Sequence, residues 1–133
     1  YLILEITESL LVEHASESVA RMTELVALGL HFSIDDFGTG YSSLAYLKRL
    51  PLSELKIDKS FVQDIPHDPN DVALVETILS MARHLHFEVV AEGVENEAQL
   101  AFLRQQGCER FQGYYFQRPL EMRAWVDQLV TAA

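Results

Sequence analysis

The chain has 133 residues, of which 49% are hydrophobic and 23% are charged, a balance that indicates a folded domain and excludes a disordered chain. Its net charge of −10 argues against nonspecific binding to DNA, which requires a basic surface. No leader and no apolar run of membrane-spanning length occur in the sequence, so we expect a cytoplasmic segment without direct membrane contact. The single Cys108 excludes an internal disulfide and fits a reducing compartment.

Five short apolar stretches are predicted to form β-strands. They are nearly continuous runs of aliphatic and aromatic residues, as the strands of buried parallel sheets are. The predicted strands are Tyr1–Ile6, Leu30–Asp35, Leu52–Ile57, Phe87–Ala91 and a short strand within Cys108–Gly113.

Helical segments follow the predicted strands. They are Ser16–Leu28, Ser42–Arg49, a helical turn within Asp58–Asp64, a long helix capped by Asn70 or Asp71 and ending near Leu85, Asn96–Gln106, and a last helix from near Pro119 to about Val130. In the last helix, the spacing of Met122, Trp125, Val126 and Leu129 predicts a face turned toward the core. Strand and helix alternate five times along the chain, which predicts an α/β fold with parallel strands.

Polar residues stand where each predicted strand ends. In chain order they are Glu5, Asp35 with Asp36, Lys56, Glu92 and Gln112. Because the carboxyl ends of parallel strands meet at one edge, we expect these side chains to lie close together. Carboxylates without a Cys or His set beside them favour Mg²⁺ or Mn²⁺ over Zn²⁺, and one carboxylate could bridge two ions.

Each of these residues also fits a simpler interpretation. Taken alone, Asp35 and Asp36 match a helix N-cap followed by a turn residue, and Lys56 matches an ordinary ion pair with one of the acids. The aromatic residues Tyr114, Tyr115 and Phe116 fit either the rim of a binding site or the filling of a core.

Five short motifs occur in order along nearly the whole chain. They are LEITES at 4–9, DDFGTGYSSL at 35–44, LKIDKSF at 55–61, AEGVE at 91–95 and QGYYF at 112–116. In order and spacing they resemble the later motifs of the EAL-domain cyclic di-GMP phosphodiesterases. A single short motif is a weak signal, whereas five in the right order are specific.

The resemblance implies a TIM-type (β/α) barrel with only the later strand–helix units present in this chain. The Glu-Ala-Leu motif that names the family and the metal-binding Asn of a following strand are missing from the sequence. We therefore expect residues 1–133 to be the carboxyl-terminal part of one EAL-like barrel domain. Open sheet edges in such a piece predict that, alone, it is poorly soluble or assembled with another chain.

The resemblance also implies an activity. The complete barrel is expected to hydrolyse cyclic di-GMP to linear pGpG with two Mg²⁺ or Mn²⁺ ions and to form a homodimer, whereas the isolated piece is expected to be inactive. A non-catalytic cyclic di-GMP receptor and a dimerisation or regulatory module are the alternatives.

The family's functional residues carry over to matching positions of this sequence. The implied metal ligands are Glu5, Asp35, Asp36 and Glu92. The implied catalytic residues are Lys56, which holds or helps to activate the attacking water, and Glu92. Three further residues are implied around them. Gln112 is a hydrogen-bonding partner, and Glu8 braces the loop that contains Gly38, Thr39 and Gly40. Glu95 either supports the metal ligands from outside or is a charged residue at the start of a helix.

Overall fold

Five parallel strands lie side by side in chain order in the computed structural model, which describes residues 2–13, 15–40 and 43–132. They are β1 Ile3–Thr7, β2 His31–Phe37, β3 Glu54–Ile57, β4 Glu88–Glu92 and β5 Arg110–Gln112. Every neighbouring pair is parallel. The predicted α/β fold and the parallel order of its strands are therefore confirmed.

Helices connect the strands. They are α1 Glu8–Glu13, α2 Ala15–Ala27, α3 Leu44–Leu47, α4 Lys59–Val62, α5 Pro69–Leu85, α6 Glu97–Gln105 and α7 Met122–Ala132. Helix α1 is not among the helices predicted from the sequence, because it follows β1 directly at Glu8. None of the described helices has both the length and the apolar character that a bilayer-spanning segment requires.

Side-chain caps fix the starts of several helices. Ser43 caps α3 and Asn96 caps α6, close to where the sequence predicts these helices to begin, whereas Ser42 lies outside the described residues. The predicted cap of α5 was wrong. Asp68, and not Asn70 or Asp71, accepts hydrogen bonds from the backbone N–H groups of those two residues at 2.7 and 3.2 Å. The helix thus begins at Pro69, since proline has no N–H to satisfy in the first turn.

The core lies between one face of the sheet and the helices. Ile34, Leu55, Ile57 and Ala91 have no exposed surface, and they meet the buried face of α5. Because side chains alternate along a strand, the opposite face carries Glu5, Ser33, Asp35, Glu54, Lys56, Glu92 and Gln112. One face of the sheet is therefore apolar, and the other is polar and charged.

The prediction that α7 turns an apolar face to the core was wrong. Met122 is 84% exposed, Trp125 51%, Val126 50% and Leu129 52%. The helix and its apolar spacing are present, but within the described residues no helix or strand lies over this face. Periodicity identified the apolar stripe and could not identify what covers it.

Candidate metal centre

Lys56 is the centre of the polar face. Its Nζ lies 2.9 Å from Glu5 Oε1, 2.7 Å from Glu92 Oε1 and 3.7 Å from Asp35 Oδ1, so three strands send a carboxylate to one ammonium. The lysine side chain is only 7% exposed. Burial lowers the pKa of Lys56, but the hydrogen bonds to Glu92 and Glu5 and the charge of Asp35 raise it more, so that it lies well above its usual range. The group is therefore a permanent cation inside an acidic cluster.

A backbone irregularity brings Asp35 and Asp36 to the same side. Neighbouring residues of a regular strand point to opposite faces. Here the pairing of β2 with β3 shifts between Ile34 and Phe37, and Asp36 has the left-handed φ of 54°. The backbone N–H of Asp36 donates to Asp35 Oδ1 at 2.9 Å. This bulge explains how two consecutive acids reach one site while β2 continues to the buried Phe37.

Asp58 is a member of the cluster that the sequence analysis missed. It follows β3 directly and caps α4, and it shares a hydrogen bond with Asp36. Burial, the charge of Asp35 and this hydrogen bond raise the pKa of Asp36. Burial also acts to raise the pKa of Asp58, but hydrogen bonds from Ser60 and Asp36 outweigh it and lower the pKa. The signal was its position, since Asp58 and not Lys56 is the first polar residue after β3 ends.

The donor set fits a hard divalent cation. Carboxylate oxygens of Asp35, Asp36 and Glu92 all lie within 4.8 Å of one another. Burial raises the pKa of Glu92, and Lys56 offsets only part of that effect, so a second cation beside it would be favoured. Oxygen donors without a Cys or His partner suit Mg²⁺ or Mn²⁺ and not Zn²⁺. Glu5 lies outside this group of three and joins it through Lys56.

A cavity of about 350 Å³ opens beside the acids. Its walls include Asp36, Asp58, Glu92, Gln112 and Tyr114, and Glu95 also lines it. The structure thus places Gln112 and Glu95 next to the acidic cluster. A larger cavity of about 830 Å³ lies between α3 and α5 and contains none of these acids, so its size does not mark it as the reactive site.

Glu8 holds the loop that follows Asp36. Its Oε2 accepts hydrogen bonds from the backbone N–H groups of Gly38 at 3.1 Å and Gly40 at 3.0 Å. A Cβ on Gly40 would lie 2.9 Å from the Glu8 carboxyl carbon, so any other residue there would require the Glu8 side chain to shift. Thr39 also ties the loop back to Asp36, because its hydroxyl donates to the Asp36 carbonyl at 2.7 Å.

Comparison with known proteins identifies the family. The sequence matches the EAL domain family over residues 1–119. The cyclic di-GMP phosphodiesterase NbdA of Pseudomonas aeruginosa is 52% identical over 124 residues, which are 93% of this chain and 16% of NbdA. The solved structure of PaMucR phosphodiesterase in a c-di-GMP complex has a TM-score of 0.89 and 50% identity, over 93% of this chain and 50% of that chain. The EAL domain of Mycobacterium smegmatis DcpA has a TM-score of 0.89 and 39% identity, over 97% of this chain and 58% of that chain.

The chain spans only part of each of these proteins, but it aligns over nearly its whole length. EAL domains are TIM-type barrels, and the five parallel strands correspond to part of that barrel. The barrel predicted from the motifs is therefore confirmed. On the sequence match and on the superposed structures, the chain belongs to the EAL domain family.

Proposed function

We propose that the chain supplies most of the reactive side chains of a metal-dependent phosphodiesterase that hydrolyses cyclic di-GMP to linear pGpG. The observation that carries the proposal is the convergence of Glu5, Asp35 and Glu92 on Lys56, with Asp36 beside them. The relatives support the substrate, because NbdA is named a cyclic di-GMP phosphodiesterase and PaMucR was solved with c-di-GMP.

The proposal assigns the activity to a complete barrel. In it, residues 1–133 are the carboxyl-terminal part of one EAL domain, and preceding strand–helix units close the sheet. The partial coverage of the solved EAL chains, 50% and 58%, supports this arrangement. The resemblance also implies a homodimer, which sedimentation of the complete domain would test.

In the proposed mechanism, Asp35, Asp36, Glu92 and Glu5 would hold two Mg²⁺ or Mn²⁺ ions. When bound, such ions polarise a phosphodiester and lower the pKa of a bound water. Lys56 orients the attacking water and offsets negative charge that develops on the phosphate, because its ammonium stays protonated beside the acids. Gln112 offers its amide to the cavity in which the substrate would lie.

Product analysis tests the proposal on the complete domain with cyclic di-GMP and Mn²⁺. We expect linear pGpG to form, and we expect Glu92→Gln and Lys56→Met each to lower kcat by about 10²-fold or more. Glu88→Gln is the matched control, because Glu88 lies on the same strand but pairs with Arg110 at 2.7 Å. It should leave turnover unchanged. Binding of cyclic di-GMP without any cleavage would identify a receptor and reject the enzymatic proposal.

A further inference from the structure

An unpartnered hydroxyl lies among the acid–lysine contacts. Ser33 is fully buried, and its Oγ has no hydrogen-bond partner in the described part of the chain. Burying a hydroxyl without a partner costs free energy. A need for a hydroxyl group therefore does not explain why serine occupies position 33 of β2. The small size of its side chain is the property that can explain it.

Ser33 occupies the strand that Lys56 must cross. Lys56 belongs to β3 and Glu5 to β1, and β2 lies between them. Strands two positions apart are separated by roughly 9–10 Å. The Nζ of Lys56 nevertheless lies 2.9 Å from Glu5 Oε1. The two side chains therefore meet above β2.

The register places Ser33 beneath this crossing. Ser33 pairs with Glu5 on one side and with Glu54, two residues before Lys56, on the other. Phe32 and Ile34 point into the core, so Ser33 faces the polar side of the sheet. A side chain at this position therefore lies on the side of the sheet on which Lys56 and Glu5 meet.

We propose that Ser33 is a positioning residue, whose small side chain leaves the passage over β2 through which Lys56 reaches Glu5. A bulkier residue would fill this passage and deflect the ammonium from Glu5, whose strand lies across β2, whereas Glu92 lies on β4, on the other side of β3. The hydroxyl itself is dispensable. The kinetic consequence rests on the proposed function, whereas the placement of Lys56 does not.

The test compares Ser33→Ala with Ser33→Val in the complete domain. The Lys56 ammonium, held by carboxylates and shielded from water, should give an exchange-protected ¹H–¹⁵N signal, which is assigned by its loss in Lys56→Met. We expect Ser33→Ala to keep this signal and the wild-type kcat. Because the contact with Glu5 is lost while Glu92 stays within reach, we expect Ser33→Val to shift this signal or to reduce its protection. We also expect it to lower kcat by about 10²-fold with KM nearly unchanged. If Ser33→Val does not fold by circular dichroism, Ser33→Thr, which adds one methyl group, replaces it.

Each outcome decides the proposal. A Lys56 signal with the wild-type chemical shift and protection in the folded bulky variant would overturn it, and so would loss of the signal in Ser33→Ala, which would show that the hydroxyl is needed. A wild-type domain without turnover, but with the expected pattern of ammonium signals, would reject the proposed function and support the positioning role.

Discussion

Asp36 combines two unfavourable features in one residue. Its φ of 54° is rare for a residue with a side chain, and such a conformation costs on the order of 1 kcal/mol. Its carboxylate also lies next to Asp35 and Asp58, and burial together with these neighbours raises its pKa. Backbone strain and charge repulsion at one position are typical of functional sites, where the fold maintains an arrangement that isolated residues would avoid.

Replacement of Asp36 should therefore stabilise the protein when divalent ions are absent. An acid whose folded-state pKa is raised keeps its proton to a higher pH in the folded state than in the unfolded state, so stability falls as pH rises above its usual pKa. Asn removes this charge and tolerates the left-handed backbone. We expect Asp36→Asn to raise the Tm in EDTA at pH 7, with the gain disappearing as the pH is lowered to about 4.

Thermal unfolding with and without Mn²⁺ checks this prediction. Asp127→Asn is the control, because Asp127 lies on α7 and adds no side chain to the acidic cluster. It should not change the Tm at either pH. With Mn²⁺ added, the wild type should gain more than Asp36→Asn. A lower Tm of Asp36→Asn in EDTA at pH 7 would contradict the proposed repulsion.

Most of the cluster could be predicted from the sequence, because polar residues after apolar strands mark one edge of a parallel sheet. Glu5, Asp35 and Glu92 meet Lys56 as this rule predicts. It was not sufficient for Asp58, since Lys56 was chosen as the polar residue of the third strand's end, although the predicted strand and β3 both end at Ile57 and Asp58 comes next. Nor could it predict the bulge at Asp36, because a shift in strand pairing depends on both strands.

At the scale of elements, Glu8 joins α1 to the loop after β2. Loss of its carboxylate would leave the N–H groups of Gly38 and Gly40 without this acceptor. Hydrogen bonds to a charged group contribute about 1.5–3 kcal/mol. We expect Glu8→Ala to speed hydrogen exchange at Gly38 and Gly40 by about tenfold or more.

Amide exchange measured by NMR tests this role of Glu8. Glu17→Ala in the first turn of α2 is the control and should leave both glycine amides unchanged. Equal exchange rates in Glu8→Ala and wild type would show that the loop is held by other contacts.

The start of α5 gives a second test at this scale. Asp68 accepts hydrogen bonds from two backbone N–H groups, so Asp68→Ala should lower the free energy of unfolding by about 1 kcal/mol. Asn70→Ala should cost less, because the Asn70 side chain does not cap the helix. Urea denaturation of the two variants measures the difference. A larger loss in Asn70→Ala would favour the cap predicted from the sequence.

Local signals predicted helices and strands better than their ends. Proline at position 69 and three polar residues around it offer several caps, and only the backbone geometry selects Asp68. No turn lies between β1 and α1, so no turn-forming residues in the sequence separate the strand from the helix. The ends of helices and strands depend on contacts that the periodicity of apolar residues does not reveal.

At the scale of the whole molecule, α7 exposes the apolar face that the sequence assigns to a core. Replacing exposed residues of this face should cost the chain little, so Trp125→Glu should change the free energy of unfolding by less than about 0.5 kcal/mol. Leu103→Ala, at a position with no exposed surface, should cost about 2–5 kcal/mol.

The same face should drive association of the 133-residue chain. We expect sedimentation velocity to show large or mixed species for the wild type and a shift toward monomer for Trp125→Glu, since exposed apolar surface promotes contact between chains. A compact wild-type monomer, together with a large stability loss in Trp125→Glu, would mean that the face is covered within the chain.

The order of the strands determines how the proposed site residues are distributed along the gene product. Because β1 to β5 follow one another in the sheet as they do in the chain, Glu5, Asp35, Lys56, Glu92 and Gln112 each come from a different consecutive strand. Recombination between homologous genes at the helix–strand junctions would therefore exchange the proposed site residues of one strand at a time. Chimeras built at these junctions would separate the contribution of each strand without cutting through any of them.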